Sequence, residues 1–527
     1  MIFFQITRGY YLFILSGIAG GVSLISGPWG WFLSLIFLIP VLGRLYDSSL
    51  RLEQIFRRGF VFGFFYIGTF CLWIFETYPL SWMGITSKLA NFFFLSTSWI
   101  FVSSLLGVFL AGWFVVFSLI KKDNWLDPFV GASLWVLFEF LRAFFFGLVF
   151  WGDGALAGPH FTLGFLGYAL SWAPLFLPLA SIGGVYLLSF FGVLINFIFY
   201  RDFIYGRGLT IILSVFLGSV FLAYNFIFSA DSVNNLKVAF SSSFLPHNPA
   251  LAINRSMSVI RALRGKDPDV IVFPENSVIL REAENNEDVR NFLRHELGSG
   301  RDVLLVSSGR VKDRDTYKNR LFFYRSNSDT FSYYDKRLLV VQGEFTPAIF
   351  KPIFHLFGRE DLLSDFESSS SMVPGARASV EDFNGSKIGS LLCSEFLSPV
   401  FFKELVGKFD ANILLGLSSQ VVFHDSRIIN NFSLSLAKTR AAENNRYVVL
   451  ATNYNDSALI DNKGKIVDRV SPKSGEVHIV EVPLIDRKSL YTKTGDGVLW
   501  LSLFVIITAI GWRFRKSISD LFYERNK

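Results

Sequence analysis

The first 229 residues form an almost unbroken apolar block, and few structures are open to a chain with that property. In hydrocarbon every backbone N–H and C=O must find a partner within the protein, so runs of roughly 20 apolar residues become helices. Eight such helices are expected, at about 10–27, 29–43, 56–76, 91–120, 128–148, 179–199, 208–228 and 496–512. A phenylalanine count of 60 and a mean hydropathy of +0.42 suit lipid-facing helices better than a surface facing water. Residues 230–490 have ordinary globular composition. The expected organisation is a transmembrane domain over 1–229 with seven helices, a globular domain over 230–490, and a terminal helix with a basic tail over 491–527.

The net charge of +7 invites a nucleic-acid reading, but the positions of the charges argue against it. Arg44, Arg51, Arg57 and Arg58 follow the second segment, Lys121 and Lys122 the fourth, and Arg201 and Arg207 the sixth. Arg513, Arg515, Lys516, Arg525 and Lys527 follow the eighth, whereas the opposite loops hold almost no Lys or Arg, with Lys88 the exception. This alternation is an orientation signal: both termini are expected in the cytoplasm and residues 230–490 outside it. No small-residue cleavage site follows the first apolar run, so that run is read as a retained anchor. Glu139 and Arg142 lie three apart on a helix expected in lipid, and a structural ion pair facing the bundle interior is expected there ahead of contact with lipid headgroups.

In the globular part, short continuous apolar runs punctuated by turns indicate sheets buried on both faces, hence an α/β domain. Strands are expected at Val270–Phe273, Val303–Val306, Leu321–Tyr324, Ile388–Leu392, Ile413–Leu415, Tyr447–Ala451 and Val477–Val482. A hairpin is expected around Asn462-Lys463-Gly464 and a helix over about Asn430–Arg446.

Three segments carry reactive groups. One apolar strand ends in Phe273-Pro274-Glu275, another runs straight into Cys393, and Lys336 stands in Tyr334-Asp335-Lys336. The chain has only one other cysteine, Cys71, inside a membrane helix, so Cys393 in an exported domain is a candidate reactive thiol. A thiolate can attack a carbonyl carbon to form a thioester, a carboxylate can take and return the proton, and an ammonium can stabilise the oxyanion. Taken singly, each residue has an ordinary structural explanation: a small core residue, a strand-end cap, a solvated turn.

Together the segments resemble the nitrilase superfamily, with its Glu–Lys–Cys triad, and within it the apolipoprotein N-acyltransferases. Tyr334-Asp335-Lys336 through Gly343-Glu344-Phe345-Thr346-Pro347 is similar to that family's Y-D-K-x-x-L-V-x-x-G-E-Y-x-P. Arg440-Ala441-Ala442-Glu443 through Ala451-Thr452-Asn453 is similar to its R-A-x-E…A-T-N run, and Leu179 to Phe190 to its L-A-S-x-G-G-V-Y-x-x-S-F. Trp135, Glu139 and Arg142 match its W-x-x-x-E-x-x-R helix, and Asn319 its Y-x-N position. The chain departs from the family at Ser418-Ser419-Gln420-Val421-Val422-Phe423, where N-D-x-W-F-G is usual, and at Ser394, where an aromatic is common.

The resemblance implies a multi-helix transmembrane domain of about eight helices plus a nitrilase-like αββα sandwich. It implies that Cys393 accepts an acyl chain from a phospholipid and passes it to the N-terminal α-amine of a diacylglyceryl-cysteine lipoprotein. Glu275 would be the base, Lys336 the oxyanion-stabilising cation, and Glu344, Glu395 and Asn319 supporting residues. It implies no metal or organic cofactor, no nucleic acid, and a monomer in a bacterial cytoplasmic (inner) membrane with an extracytoplasmic catalytic domain. Two competitors are a membrane-tethered nitrilase-like amidohydrolase, which would release the thioester to water, and a non-enzymatic membrane protein, which would have lost the triad.

Overall fold

The computed structural model describes residues 2–525 apart from 48, 207, 228–233, 246–247, 299, 315, 357, 359, 361–363, 365–366 and 368–370. The expected domain division at 229/230, together with Arg207 and Lys527, lies outside the described residues.

The eight apolar segments are helical. Four of them, Leu52–Thr77, Lys88–Ile120, Asp127–Val149 and Leu177–Tyr205, are long and apolar enough to cross a membrane, whereas Gly9–Ile25, Trp31–Leu45, Thr210–Leu222 and Gly497–Trp512 are shorter apolar helices. The segment expected as one helix over 29–43 is broken into a 3-10 turn, Trp31–Leu35, and a helix, Ile39–Leu45. Pro40 accounts for the break: it has no N–H to give to a preceding turn, and it fits the first turn of a new helix. Asn196 repairs the interrupted ladder, donating from Nδ2 to the Ser34 carbonyl (2.8 Å) and accepting at Oδ1 from the Leu38 N–H (2.8 Å).

Glu139 and Arg142 are both buried, but they do not pair with each other as expected. Glu139 accepts from Trp135 Nε1 (3.0 Å) and from the Leu166 N–H (2.7 Å), while Arg142 donates to the carbonyls of Leu163 (3.1 Å) and Gly164 (2.9 Å). The two charges therefore tie down the non-helical backbone of residues 163–166, where the Gly164 carbonyl also accepts from the Tyr66 hydroxyl (3.2 Å).

Among the described residues the globular part contains twelve strands: β1 (Asn235–Ser241), β2 (Val270–Val272), β3 (Leu304–Asp313), β4 (Thr316–Arg325), β5 (Thr330–Asp335), β6 (Val380–Phe383), β7 (Ser386–Leu392), β8 (Ile413–Ser419), β9 (Val448–Asn453), β10 (Ser457–Ile460), β11 (Ile466–Val470) and β12 (Val477–Pro483). They form two six-stranded sheets, ordered β12-β1-β2-β3-β4-β5 and β11-β10-β9-β8-β7-β6. Each has a parallel centre, β1-β2-β3 in one and β7-β8-β9 in the other. Alternation along the strands sorts the first sheet's faces. Val238, Phe240, Val270, Val272, Leu304 and Val306 join the core that holds the second sheet, whereas Ala239, Ile271 and Leu305 pack with Ile260, Leu280 and Leu293 of the outer helices. Sheet lies on sheet with helices outside, the expected layered sandwich. The seven expected strands and the hairpin are present, with Gly464 at φ +78° in its turn. β1, β5 and β6 add to what the apolar runs indicated.

The helix Arg427–Asn444 joins the two halves. Arg440 and Glu443 on it are fully buried and paired at 2.5 Å. Arg440 also donates to the Tyr168 hydroxyl (2.5 Å) of the membrane domain, and Glu443 accepts from the Val185 N–H (2.8 Å). That N–H is left over because the helix Ala180–Tyr205 is non-helical at Gly183 and Gly184. Gly184 has φ +68°, and a Cβ there would fall 2.6 Å from the Tyr491 ring, so only glycine fits.

Removing one partner of a buried pair leaves the other charge uncompensated. Glu443→Ala is expected to lower stability by about 3–5 kcal/mol, read as a fall in unfolding midpoint in detergent. A loss below about 1 kcal/mol would mean that the pair behaves as a solvated one.

Candidate active site

The reactive side chains stand at strand ends of both sheets, two of them where loops leave the parallel centres and Lys336 after the antiparallel edge strand β5. β2 leads through Phe273-Pro274 to Glu275, β5 to Lys336, and β7 to Cys393, while Asn319 lies within β4 and Ser418 and Ser419 end β8. All six residues put forward from the sequence come together in this region or its immediate support.

Glu275, Lys336, Glu344 and Asn319 form one buried cluster. Lys336 Nζ lies 2.9 Å from Glu344 Oε2 and 3.9 Å from Glu275 Oε1. Asn319 Nδ2 donates to both carboxylates, at 2.8 Å to Glu275 and 2.7 Å to Glu344. The Ser419 N–H donates to Glu275 Oε2 (2.8 Å) and the Val340 N–H to Glu344 Oε2 (2.8 Å). Two acids thus share one lysine and one amide. Burial alone would lower the Lys336 pKa, but the flanking Glu344 and Glu275 carboxylates outweigh it, so the ammonium persists. Burial raises the Glu275 carboxyl, the Glu344 charge adds to that rise, and Lys336, Asn319 and the Ser419 N–H oppose it.

Cys393 has φ +42°, a left-handed backbone that a side chain adopts only when its surroundings impose it. Glu395 imposes it. Fully buried, it accepts from the Leu392 N–H (2.7 Å), from the Arg337 N–H (2.8 Å) and from the Tyr334 hydroxyl (2.5 Å). One carboxylate therefore holds the cysteine turn against the lysine turn, and Glu395 acts through backbone rather than beside the thiol. The Cys393 Sγ lies 4.0 Å from the Ser419 carbonyl oxygen. Burial pushes its pKa up to about 12, Glu275 adds to the rise, and Lys336 and the Ser418 hydroxyl oppose it. At neutral pH the resting thiol is protonated and needs a base before it can attack.

The thiol opens onto a cavity of about 220 Å³. Trp73, Phe146 and Phe161 of the membrane domain and Val341, Phe396 and Phe432 of the globular domain are among its lining residues, with Cys393 and Ser418 in its wall. A water occupies about 30 Å³ of liquid, so the space suits several methylenes in an almost wholly apolar enclosure. Sequence reading singled out Glu275, Lys336 and Cys393, which the fold brings together, but missed Ser418, the Ser419 and Val340 N–H groups and the membrane-side aromatics. Backbone donors carry no side-chain signal, and the aromatics are distant in sequence.

Because Glu275 raises the thiol pKa, Glu275→Gln is expected to let iodoacetamide alkylate Cys393 several-fold faster at about pH 8 than in the wild type. Mass spectrometry of the labelled peptide measures this. An equal rate would show that the carboxylate does not act on the thiol, and a slower one that its action as a base outweighs its effect on the thiol pKa.

Comparison with known proteins agrees across both halves. The model of the apolipoprotein N-acyltransferase N-terminal domain matches residues 16–198 and that of carbon-nitrogen hydrolase residues 249–491. The apolipoprotein N-acyltransferase of Prochlorococcus marinus subsp. pastoris is 23% identical over 521 residues, covering 94% of this chain and 96% of the relative. That of Rickettsia prowazekii is 23% identical over 530 residues, with 94% and 96% covered, and that of Photobacterium profundum 24% over 506 residues, with 92% and 91% covered. A solved amidase from Nesterenkonia sp. is 15% identical with a TM-score of 0.37, covering 52% of this chain and 99% of that one. With an acyltransferase membrane domain and a carbon-nitrogen hydrolase domain matched in tandem, and relatives aligned nearly end to end, the chain belongs to the apolipoprotein N-acyltransferase family.

Proposed function

We propose that this protein is a phospholipid-dependent N-acyltransferase of lipoprotein maturation. The single observation that carries the reading is the position of Cys393, in the wall of an apolar cavity to which both the membrane and the globular domain contribute. A hydrolase of small amides has no use for such an enclosure, whereas each acyl methylene entering it gains ~0.8 kcal/mol.

In the first half-reaction Glu275 takes the Sγ proton and the sulfur attacks the ester carbonyl carbon of a membrane phospholipid. Lys336 stabilises the oxyanion, the ester C–O bond breaks, and Glu275 returns the proton to the departing lysophospholipid hydroxyl. In the second, the α-amine of a diacylglyceryl-cysteine lipoprotein attacks the thioester, the C–S bond breaks, an amide forms and the thiol regains its proton. Glu344 and Asn319 hold the acid–lysine cluster, and Glu395 holds the cysteine turn. Residues 1–229 would serve as the lipid-embedded domain, 230–490 as the catalytic domain, and 491–527 as a terminal anchor. The Lys and Arg pattern supports both termini in the cytoplasm and catalysis on the outer face of a bacterial inner membrane. One chain carries the whole triad, in keeping with a monomer.

Incubation with phospholipid is expected to add one acyl chain to the intact mass. Cys393→Ala would lack that gain, and a diacylglyceryl-cysteine peptide would clear it while becoming N-acylated. Discharge by water alone would favour the amidohydrolase. The pH profile gives a second check. The base works only when deprotonated, and its pKa is raised, so acylation is expected to fall with decreasing pH at values above the ordinary glutamate pKa of about 4.3. An acid limb at or below that value would remove Glu275 from the role of base.

A further inference from the structure

β3 and β4 run on together well past the sheet. β2 pairs with β3 only at Leu304, Leu305 and Val306, whereas β3 and β4 stay in register out to Asp313 and Thr316. The outer part is a ribbon of these two strands, with Met372 and Val373 alongside it at Tyr317, and directly opposite residues of an antiparallel pair point to the same face. Arg310 is opposite Asn319 and Lys312 opposite Tyr317. Asn319 holds Glu275 and Glu344, so its face is the site's face, and Arg310 and Lys312 follow it outward in a row. The other face is taken by Lys318, which pairs with Asp313 (2.7 Å) and Asp335 (3.5 Å).

Contacts agree with the register. The Arg310 guanidinium lies 4.2 Å from the centroid of the Tyr317 ring. Tyr317 packs against the cluster of Leu339, Phe345 and Met372, as do Ala155 of the membrane domain and Val341, which also lines the cavity beside Cys393. Arg310 is partly exposed and Lys312 exposed. Both therefore stand where the site's rim meets the membrane domain. Charge gives the row a purpose. The inner cluster holds two carboxylates and one ammonium, a poor neighbour for a phosphodiester, and a planar guanidinium on an aromatic ring suits oxyanions.

We propose that Arg310, assisted by Lys312, binds the phosphate of the phospholipid donor and so places the acyl ester at Cys393. This rests on the phospholipid-donor reading above.

The test compares acylation of Cys393 by a phosphatidylethanolamine–phosphatidylglycerol mixture with acylation by p-nitrophenyl palmitate, which has the acyl ester but no phosphate. In Arg310→Ala the ratio of the two rates is expected to fall roughly tenfold or more, mostly through KM for the phospholipid. Arg310→Lys should restore part of it, and Lys312→Ala should show a smaller fall. A ratio equal to that of the wild type, including one in which both rates drop together, overturns the inference, since it would mean a structural role. If the wild type is acylated by the p-nitrophenyl ester but by no phospholipid, the donor reading itself fails and takes this inference with it.

Discussion

The rest of the structure depends on the burial of Arg440 and Glu443 between the two halves of the chain. A charge withdrawn from water at that depth is tolerated only when paired and fully hydrogen-bonded. Arg440 meets that requirement with Glu443, Tyr168 and the Phe396 carbonyl (3.0 Å). Glu443 meets it with Arg440 and the Val185 N–H. The pair thus joins a broken membrane helix, the short helix Gly167–Leu170 of the membrane domain and the segment that follows Cys393. Orienting any one of these orients the others.

Further contacts along the same seam bring the membrane domain to the cavity. Phe423 meets Trp73 edge-on at 5.4 Å, the His424 ring reaches the Tyr78 carbonyl (3.0 Å), and Ser426 bonds Glu76. Phe432 packs on Phe70 (5.1 Å) and Tyr168 (5.7 Å). These residues flank the region where the sequence departs from its family, Ser418 to Phe423. In this chain that stretch supplies a hydroxyl to Cys393, an N–H to Glu275 and an aromatic to the cavity wall.

Within the site, rigidity and reactivity are divided between carboxylates of different surroundings. Glu395 spends its oxygens on two backbone N–H groups and a tyrosine hydroxyl, which fixes the cysteine turn. Glu344 is spent on Lys336, Asn319 and Val340. Glu275 is bonded by Asn319 and by Ser419 and lies at longer range from the lysine, so its proton affinity is set chiefly by burial. Three glutamates of one chemistry thereby carry different work.

By itself the sequence determined where the apolar helices lie, that the second half is a layered α/β domain, and which strand ends carry Glu275, Lys336 and Cys393. Periodicity and apolar runs report local burial directly, and motif spacing reports strand ends. It misplaced two features. The 29–43 segment reads as one helix because its apolar run continues through Pro40, whereas the break at that proline is tolerated because the distant Asn196 carboxamide satisfies the freed backbone groups. Glu139 and Arg142 read as a pair because helical spacing brings them together, whereas the loop at 163–166 claims each separately. The tertiary structure alone decided the partners of buried polar groups, the backbone donors to the carboxylates and the shared cavity. Those contacts span up to hundreds of residues, and the hydrogen-bonding requirement of a buried group says that a partner must exist without saying which residue it is.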